Sequence, residues 1–454
     1  GKSPSSVQGV PDSHPGLPCH RPFRRVPPAA ALVPPTAARM PRRGAGGAGT
    51  AGAGTGRGAA LASARAFAYH RRLAPLPGNA MHYDFDEPVD RRHTASDKWD
   101  RFRDRDVLPM WVADMDFRAP PAVLEALHAR VDHGVFGYTN ASDELVAVTI
   151  DMLARSHGWH VEPEWLVWLP GLVPGLHVAC ATVGEPGDAV ATFTPVYPPF
   201  LAAPPRAGRE RIDVPLADAA GRIDFDALAD AVTPRTRMLM LCHPQNPTGR
   251  VYRRDELAAL AEFCERHDLV LCSDEIHCGL VLEPGVEHVP VATLGPEIAR
   301  RSITLMAPSK TYNIAGLGCS LAVIPDPALR RRFQAARAGF VPGVNALGFT
   351  AALAAWRDCR DWHEALIEYL RGNRARVTEA VAGHPRLSMV TPEATYLAWL
   401  DARALDARDP AAAAEAAGVG LSDGAAFGEP GFLRLNFGCP RVTLDEGLRR
   451  LAAL

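Results

Sequence analysis

The chain has 454 residues, of which 47% are hydrophobic and 22% charged. That balance is the one found in soluble globular proteins, and the length exceeds what one compact core usually holds, so two domains are expected. No apolar run approaches the length needed to cross a bilayer, so no membrane partner is expected.

The net charge of −2 is spread unevenly, because residues 1–80 carry eleven Lys or Arg against a single acid, Asp12. This first segment is rich in Ala, Gly, Pro and Arg, as in PRRGAGGAGTAGAGTGRGAA, and lacks a repeated apolar face. It reads as a disordered basic extension. Two origins fit its composition: a transit peptide, or a translated upstream stretch ahead of a start at Met81. The second fits better, since abundant Pro and Gly leave little amphipathic pattern. A basic tail can also hold nucleic acid. Regular interleaving of aromatic residues is lacking here, and no nucleic-acid partner is expected.

Residues 81–118 read as an extended arm that ends in LPMWVADMDF and belongs with the smaller domain. Residues 119–340 form the larger domain, in which strand and helix signals alternate. Strands are expected at 189–194, 237–242, 269–273, 302–306 and 319–324, short and almost continuously apolar, as strands buried on both faces are. Between two of them, DELAALAEFCERH (255–267) places Leu257, Leu260 and Cys264 on one face, which predicts an amphipathic helix. Strand–helix–strand units imply an α/β fold with a mostly parallel sheet covered by helices. Residues 341–454 carry helices at 347–357, 361–382 and 443–453 and the strand-like pieces TYLAWL and FLRLNF, a second and smaller α+β domain.

The nine cysteines are scattered and form no CxxC pair. Cys272, Cys278 and Cys319 fall in or beside strands as small apolar residues. This predicts buried thiols in a reducing, cytoplasmic setting and no metal site.

In a parallel α/β sheet, ligands bind beyond the carboxyl ends of the strands. Asn246 follows one such strand in HPQNPTG, Asp274 ends another in SDEIH, and Ser309 and Lys310 follow a third in APSK. The run PGLVPG (170–175), with Val173 and Pro174, reads as a loop after the apolar WLVWL and offers backbone N–H groups to an anion. Taken singly, each is ordinary turn or cap chemistry. Together they match the needs of pyridoxal 5′-phosphate. Its aldehyde takes an amine (Lys310). Its ring nitrogen stays protonated beside a carboxylate (Asp274). Its phenolic oxygen takes a donor (Asn246), and its phosphate takes Ser309 and the 170–175 amides. Lys310 is thus placed to form a Schiff base.

The order and spacing of Asn246, Asp274 and Lys310 resemble fold-type I pyridoxal-phosphate enzymes of the aminotransferase class I/II group. Within that group LPMWVADMDF, HGVFGYT, TPVYPPF, SDEIH, APSKTYNIAGL, EYLRGNR and LRLNFGCPR are similar to the MalY/PatB-type C–S β-lyases, over roughly residues 81–454. The resemblance implies the fold-type I transferase fold, with a large cofactor-binding domain and a small domain. It implies that Tyr197 stacks on the cofactor ring and that Arg434 clamps the substrate carboxylate. Trp111 and Ala113 border the substrate. Tyr138 reaches the phosphate of a neighbouring subunit in a homodimer. Two positions depart from the wider pattern. His277 stands where many relatives carry a tyrosine for the phenolic oxygen, which leaves Asn246 as its partner with His277 in support. Gly318 stands where many aminotransferases carry a phosphate-binding arginine.

The implied reaction is α,β-elimination on a thioether amino acid such as L-cystathionine, releasing a thiol, pyruvate and ammonia. An amino-acid aminotransferase shares every one of these residues and is the nearest alternative. A protein-binding regulator, a second role found in the MalY branch, is the alternative from another class.

Overall fold

The computed structural model describes residues 83–454. The expectations for residues 1–80, and for Met81 as the start, fall outside the described residues.

Seven strands form one sheet: β1 (Leu166–Leu169), β2 (Ala189–Thr194), β3 (Glu210–Pro215), β4 (Thr236–Cys242), β5 (Val270–Asp274), β6 (Ser302–Met306) and β7 (Ser320–Val323). Their spatial order is β1-β7-β6-β5-β4-β2-β3. The five strands from β6 to β3 run parallel, whereas β7 runs antiparallel to both β6 and β1. Each of the five strands expected from the sequence forms, within a residue or so of its expected ends. β3 was not expected. It is an edge strand with charged residues facing water, among them the Arg211–Asp213 pair, and it carries no continuous apolar run.

Side-chain alternation explains why the sheet needs cover on both faces. In β4, Met238 and Met240 point into one core with Leu176, Phe200 and Leu305. Leu239 and Leu241 point into another with Leu257, Leu260 and Cys264. The helix Leu172–Thr182 contributes to the first core and the helix Arg254–Arg266 to the second. Each fully buried leucine contributes about 1.5–3 kcal/mol.

The C-terminal residues add a three-stranded antiparallel sheet of β8 (Leu397–Asp401), β9 (Ser422–Asp423) and β10 (Phe432–Asn436), in the order β9-β10-β8. The helix Arg360–Ala382 buries Leu366, Leu370, Val377 and Val381, one face at helical spacing. Its buried Asn373 donates to the carbonyls of Phe437 (2.9 Å) and Cys439 (2.8 Å), which fixes the chain just past β10.

The arm is held by buried charge. Lys98 is 1% exposed, and its ammonium lies 2.8 Å from Asp116 Oδ2, while Trp99 Nε1 and Arg91 donate to Asp116 Oδ1 at 2.8 and 2.7 Å. Asn436 then donates to the carbonyls of Val112 and Asp114 (2.6 and 2.7 Å), and Asn313 to those of Met115 and Phe117 (2.9 and 2.7 Å). Residues 111–117 are thus pinned by side chains from two distant parts of the chain. Leu108–Pro109 pairs in parallel with Val419–Gly420. Among the described residues no helix is long and apolar enough to cross a membrane.

Candidate active site

The parallel strands deliver their polar termini to one edge. Asp274 is the last residue of β5, Asn246 follows β4, and Ser309 and Lys310 follow β6. All four line a cavity of about 220 Å³, together with Val173, Pro174, Tyr197, His277 and Ala113. The sequence expected residues 170–175 as a loop. In the structure Gly171 precedes the helix Leu172–Thr182, and Val173–Gly175 belong to its first turn. That turn has no side-chain cap, so its free N–H groups and the positive end of the helix face the cavity wall.

Lys310 donates to the carbonyl of Ala113 at 2.5 Å. Desolvation pulls its pKa down to about 8, and the nearby Arg434 charge adds to the shift. An amine titrating there is partly neutral near pH 8, as a nucleophile and proton acceptor needs. Asp274 is shifted the opposite way. Burial raises its carboxyl to about 7, and among the described residues the only hydrogen bond to its side chain comes from the backbone N–H of Ile276, at 3.2 Å. A buried carboxyl with so little compensation is suited to a cationic partner. His277 is held neutral, its pKa near 3, by burial and then by the charges of Lys310 and Arg434. Among the described residues its Nδ1 has no hydrogen-bond partner.

Arg434 lies in the middle of β10 and is 4% exposed. It donates to Asn246 Oδ1 (3.0 Å), to the carbonyl of Trp111 (2.9 Å) and, at 3.4 Å, to Ser422 Oγ, and its guanidinium covers the ring of Phe427 at 4.7 Å. Among the described residues no carboxylate pairs with it. Burial lowers its pKa to about 10. A buried, uncompensated guanidinium is a site for an anion of planar, two-oxygen shape. Because Asn246 gives its oxygen to Arg434, its amide N–H groups are left to donate into the cavity. Tyr197 walls this cavity and a second, adjoining one of about 650 Å³, which Trp111 and Arg434 also line.

Pyridoxal phosphate suits these residues. An amine of depressed pKa, a buried carboxyl lacking a cation and an uncapped helix start surround one cavity. Gly318 does not spoil the fit. It adopts a left-handed conformation (φ 61°), and a Cβ there would sit 3.0 Å from the carbonyl of Pro170. The backbone of 318 closes against the residue ahead of the 171–175 turn, in space that a side chain would need.

One expected site residue stays apart. Tyr138 is fully exposed and does not line the cavity of its own chain. Other residues were not anticipated. Tyr396, buried, donates to the same Ala113 carbonyl as Lys310, at 2.9 Å. Ser422 donates to the Trp111 carbonyl at 2.8 Å, and Phe427 lies under Arg434. A lone tyrosine in the apolar TYLAWL was the one available signal for Tyr396. Nothing local marks Ser422 or Phe427.

Comparison with known proteins agrees with this geometry. The sequence pattern of the family described as aminotransferase class I and II matches residues 105–451. The cystathionine β-lyase PatB of Bacillus subtilis is 40% identical over 384 residues, covering 82% of this chain and 99% of that protein. Among solved structures, OvoB superposes with a TM-score of 0.80 at 49% identity, covering 82% of this chain and 98% of that one. Cystalysin from Treponema denticola, whose structure contains a pyridoxal 5′-phosphate cofactor, superposes with a TM-score of 0.79 at 33% identity over the same shares of the two chains. The fold is thus the mostly parallel α/β sheet of fold-type I pyridoxal-phosphate enzymes, and the chain belongs to the aminotransferase class I and II family.

Proposed function

We propose that this protein is a pyridoxal-phosphate-dependent C–S β-lyase that cleaves L-cystathionine or related cysteine S-conjugates to a thiol, pyruvate and ammonia. The observation that supports an amino-acid substrate is the buried Arg434, free of any carboxylate among the described residues, in the wall of a cavity that adjoins the one holding Lys310 and Asp274. The likeness to PatB, a cystathionine β-lyase, favours elimination over amino transfer.

When bound, pyridoxal phosphate supplies an aldehyde that joins amines and a ring that accepts the electron pair released at the substrate Cα. Arg434 grips the α-carboxylate through its planar fork and so fixes which Cα bond faces Lys310. Lys310 removes the Cα proton; its pKa near 8 makes it a base at neutral to mildly alkaline pH. Asp274 keeps a proton on the ring nitrogen by opposite charge. Asn246 donates to the phenolic oxygen, with the neutral His277 beside it, and Tyr197 supports the ring. Ser309 and the amides around Val173 and Pro174 receive the phosphate. Loss of the Cβ–S bond then frees the thiol.

Several further readings have support. The exposed apolar residues Phe136, Tyr138 and Phe340 suit contact with a second copy, so a homodimer with Tyr138 at its partner's phosphate is part of the proposal. The eight cysteines of the described residues are all free, as suits a reducing cytoplasm. The two sheets support a large unit over 119–340, a small one over 341–454 and an arm over 81–118 that pairs with the latter. Release of thiol from L-cystathionine by the holoenzyme tests the activity. No thiol release above that of free cofactor would exclude it.

A further inference from the structure

The cavity of about 650 Å³ beside the catalytic residues is lined by two arginines besides Arg434, namely Arg101 and Arg105. Arg101 lies just past the short helix Asp97–Asp100 and is exposed. Its guanidinium covers the ring of Trp111 at 4.7 Å from the centroid. The carbonyl of that same tryptophan accepts from Arg434 at 2.9 Å. Trp111 therefore touches two cations that line one cavity, Arg434 at its backbone carbonyl and Arg101 at its ring.

The remaining charges of this cavity are already engaged. Arg105 pairs with Glu415 at 2.6 Å. Asp423 accepts from the N–H of Ala425 at 3.0 Å, and Asp409 from that of Ala412 at 2.9 Å, each at the start of a helical turn. Arg101 has no carboxylate partner among the described residues. The rings of Trp111 and Phe102 (centroid at 5.3 Å) flank its guanidinium, and among the described residues its N–H groups make no hydrogen bond.

We propose that Arg101 binds a second carboxylate at the far end of the sulfur substituent, so that the preferred substrates are thioether amino acids carrying a carboxylate at each end. The inference rests on the lyase reading for the α-carboxylate at Arg434, and adds a subsite for the leaving thiol. The leaving group is then held by charge at its far end while its sulfur lies over the catalytic residues. A simple alkyl thioether of cysteine leaves this subsite unfilled.

The test compares pyruvate release from L-cystathionine and from S-ethyl-L-cysteine by the wild-type holoenzyme, Arg101→Gln and Arg101→Lys. One charge-assisted hydrogen bond corresponds to about tenfold in affinity. Arg101→Gln is expected to lower the kcat/KM preference for cystathionine over S-ethylcysteine about tenfold, through KM, with Arg101→Lys recovering part of it. An unchanged preference overturns the proposal. A second measurement stands apart from turnover. Suberate has as many chain atoms between its carboxylates as cystathionine, and octanoate lacks the far carboxylate. Calorimetry on the holoenzyme should show suberate binding tighter than octanoate in wild type, with the difference lost in Arg101→Gln. If wild type releases pyruvate from neither thioether but keeps this binding difference, the lyase reading fails and the two-carboxylate site stands. If suberate binds no better than octanoate, the site is wrong whatever the activity.

Discussion

Arg434 donates to the side-chain oxygen of Asn246 at 3.0 Å, although the two residues lie 188 positions apart, one inside β10 and the other beyond the end of β4. The contact joins the three-stranded sheet to the edge of the seven-stranded one at the point where the substrate carboxylate is proposed to bind. It also orients the asparagine amide, so one arginine prepares both the substrate clamp and a cofactor donor.

That double role gives a first prediction. Arg434→Lys keeps a positive charge but loses the fork, the bond to Asn246 and the packing on Phe427. We expect kcat/KM for any amino-acid substrate to fall by at least about a hundredfold, the scale of a buried charged pair. Reaction with a bare amine that lacks a carboxylate should change far less. Steady-state kinetics on the two substrate types checks this.

Asp274 supplies a pH prediction. In cofactor-free protein its carboxyl titrates near 7, against an ordinary value of 3.8. Ionising it in the folded state above pH 7 therefore costs up to about 4 kcal/mol, at 1.36 kcal/mol per pKa unit. A carboxyl raised on folding destabilises the protein above its folded pKa, and the effect fades as pH falls from 7 toward 4. Cofactor-free Asp274→Asn should thus melt above wild type at pH 8 and approach it at pH 5. With cofactor bound the order should reverse, because only the carboxylate can hold the ring proton. Thermal melts of both forms across this range give the comparison.

Lys310→Ala should lose turnover by several powers of ten, since the amine that holds the cofactor and the base at Cα vanish together. The fold should survive, because among the described residues the side chain makes one hydrogen bond, to Ala113. Borohydride treatment should fix cofactor to the wild-type chain on the peptide containing Lys310, and leave the variant unlabelled.

Gly318 carries a prediction about fold and cofactor together. Gly318→Ala puts a Cβ at φ 61° and within 3.0 Å of the Pro170 carbonyl. The strain should cost about 1–3 kcal/mol. Gly318→Arg carries the same Cβ beside the Pro170 carbonyl and should destabilise at least as much, with no gain in cofactor binding. Denaturant unfolding and cofactor titration separate the two effects.

Much of this was legible in the sequence for identifiable reasons. β2, β4, β5, β6 and β7 are buried on both faces and so read as continuous apolar runs. The polar residues that end or follow them stand out, which is how Asn246, Asp274 and Lys310 were found. β3 escaped because its charged outer positions erase the apolar run. Arg434 gave no local reason to be buried without a counter-ion, and only the family resemblance marked it. Tyr396 reaches Ala113 across 283 positions, and the Phe427–Arg434 and Arg101–Trp111 contacts join residues of irregular spacing whose side chains meet only in the folded chain. Pattern in one stretch of chain does not report such contacts. The reading of 170–175 as a loop failed because Pro174 and Gly175 look like breakers, yet proline is tolerated in a first helical turn.

The protein is proposed to cleave a C–S bond with Lys310, Asp274 and Arg434, residues that an aminotransferase would share, so the fate of the substrate decides between the two. The most direct measurement is the product balance from L-cystathionine with no 2-oxo acid added. Thiol and pyruvate should accumulate together, one for one, over many turnovers. Reaction that stops after one turnover per cofactor and resumes only when a 2-oxo acid is supplied, with the amino group recovered on that acid, would contradict it.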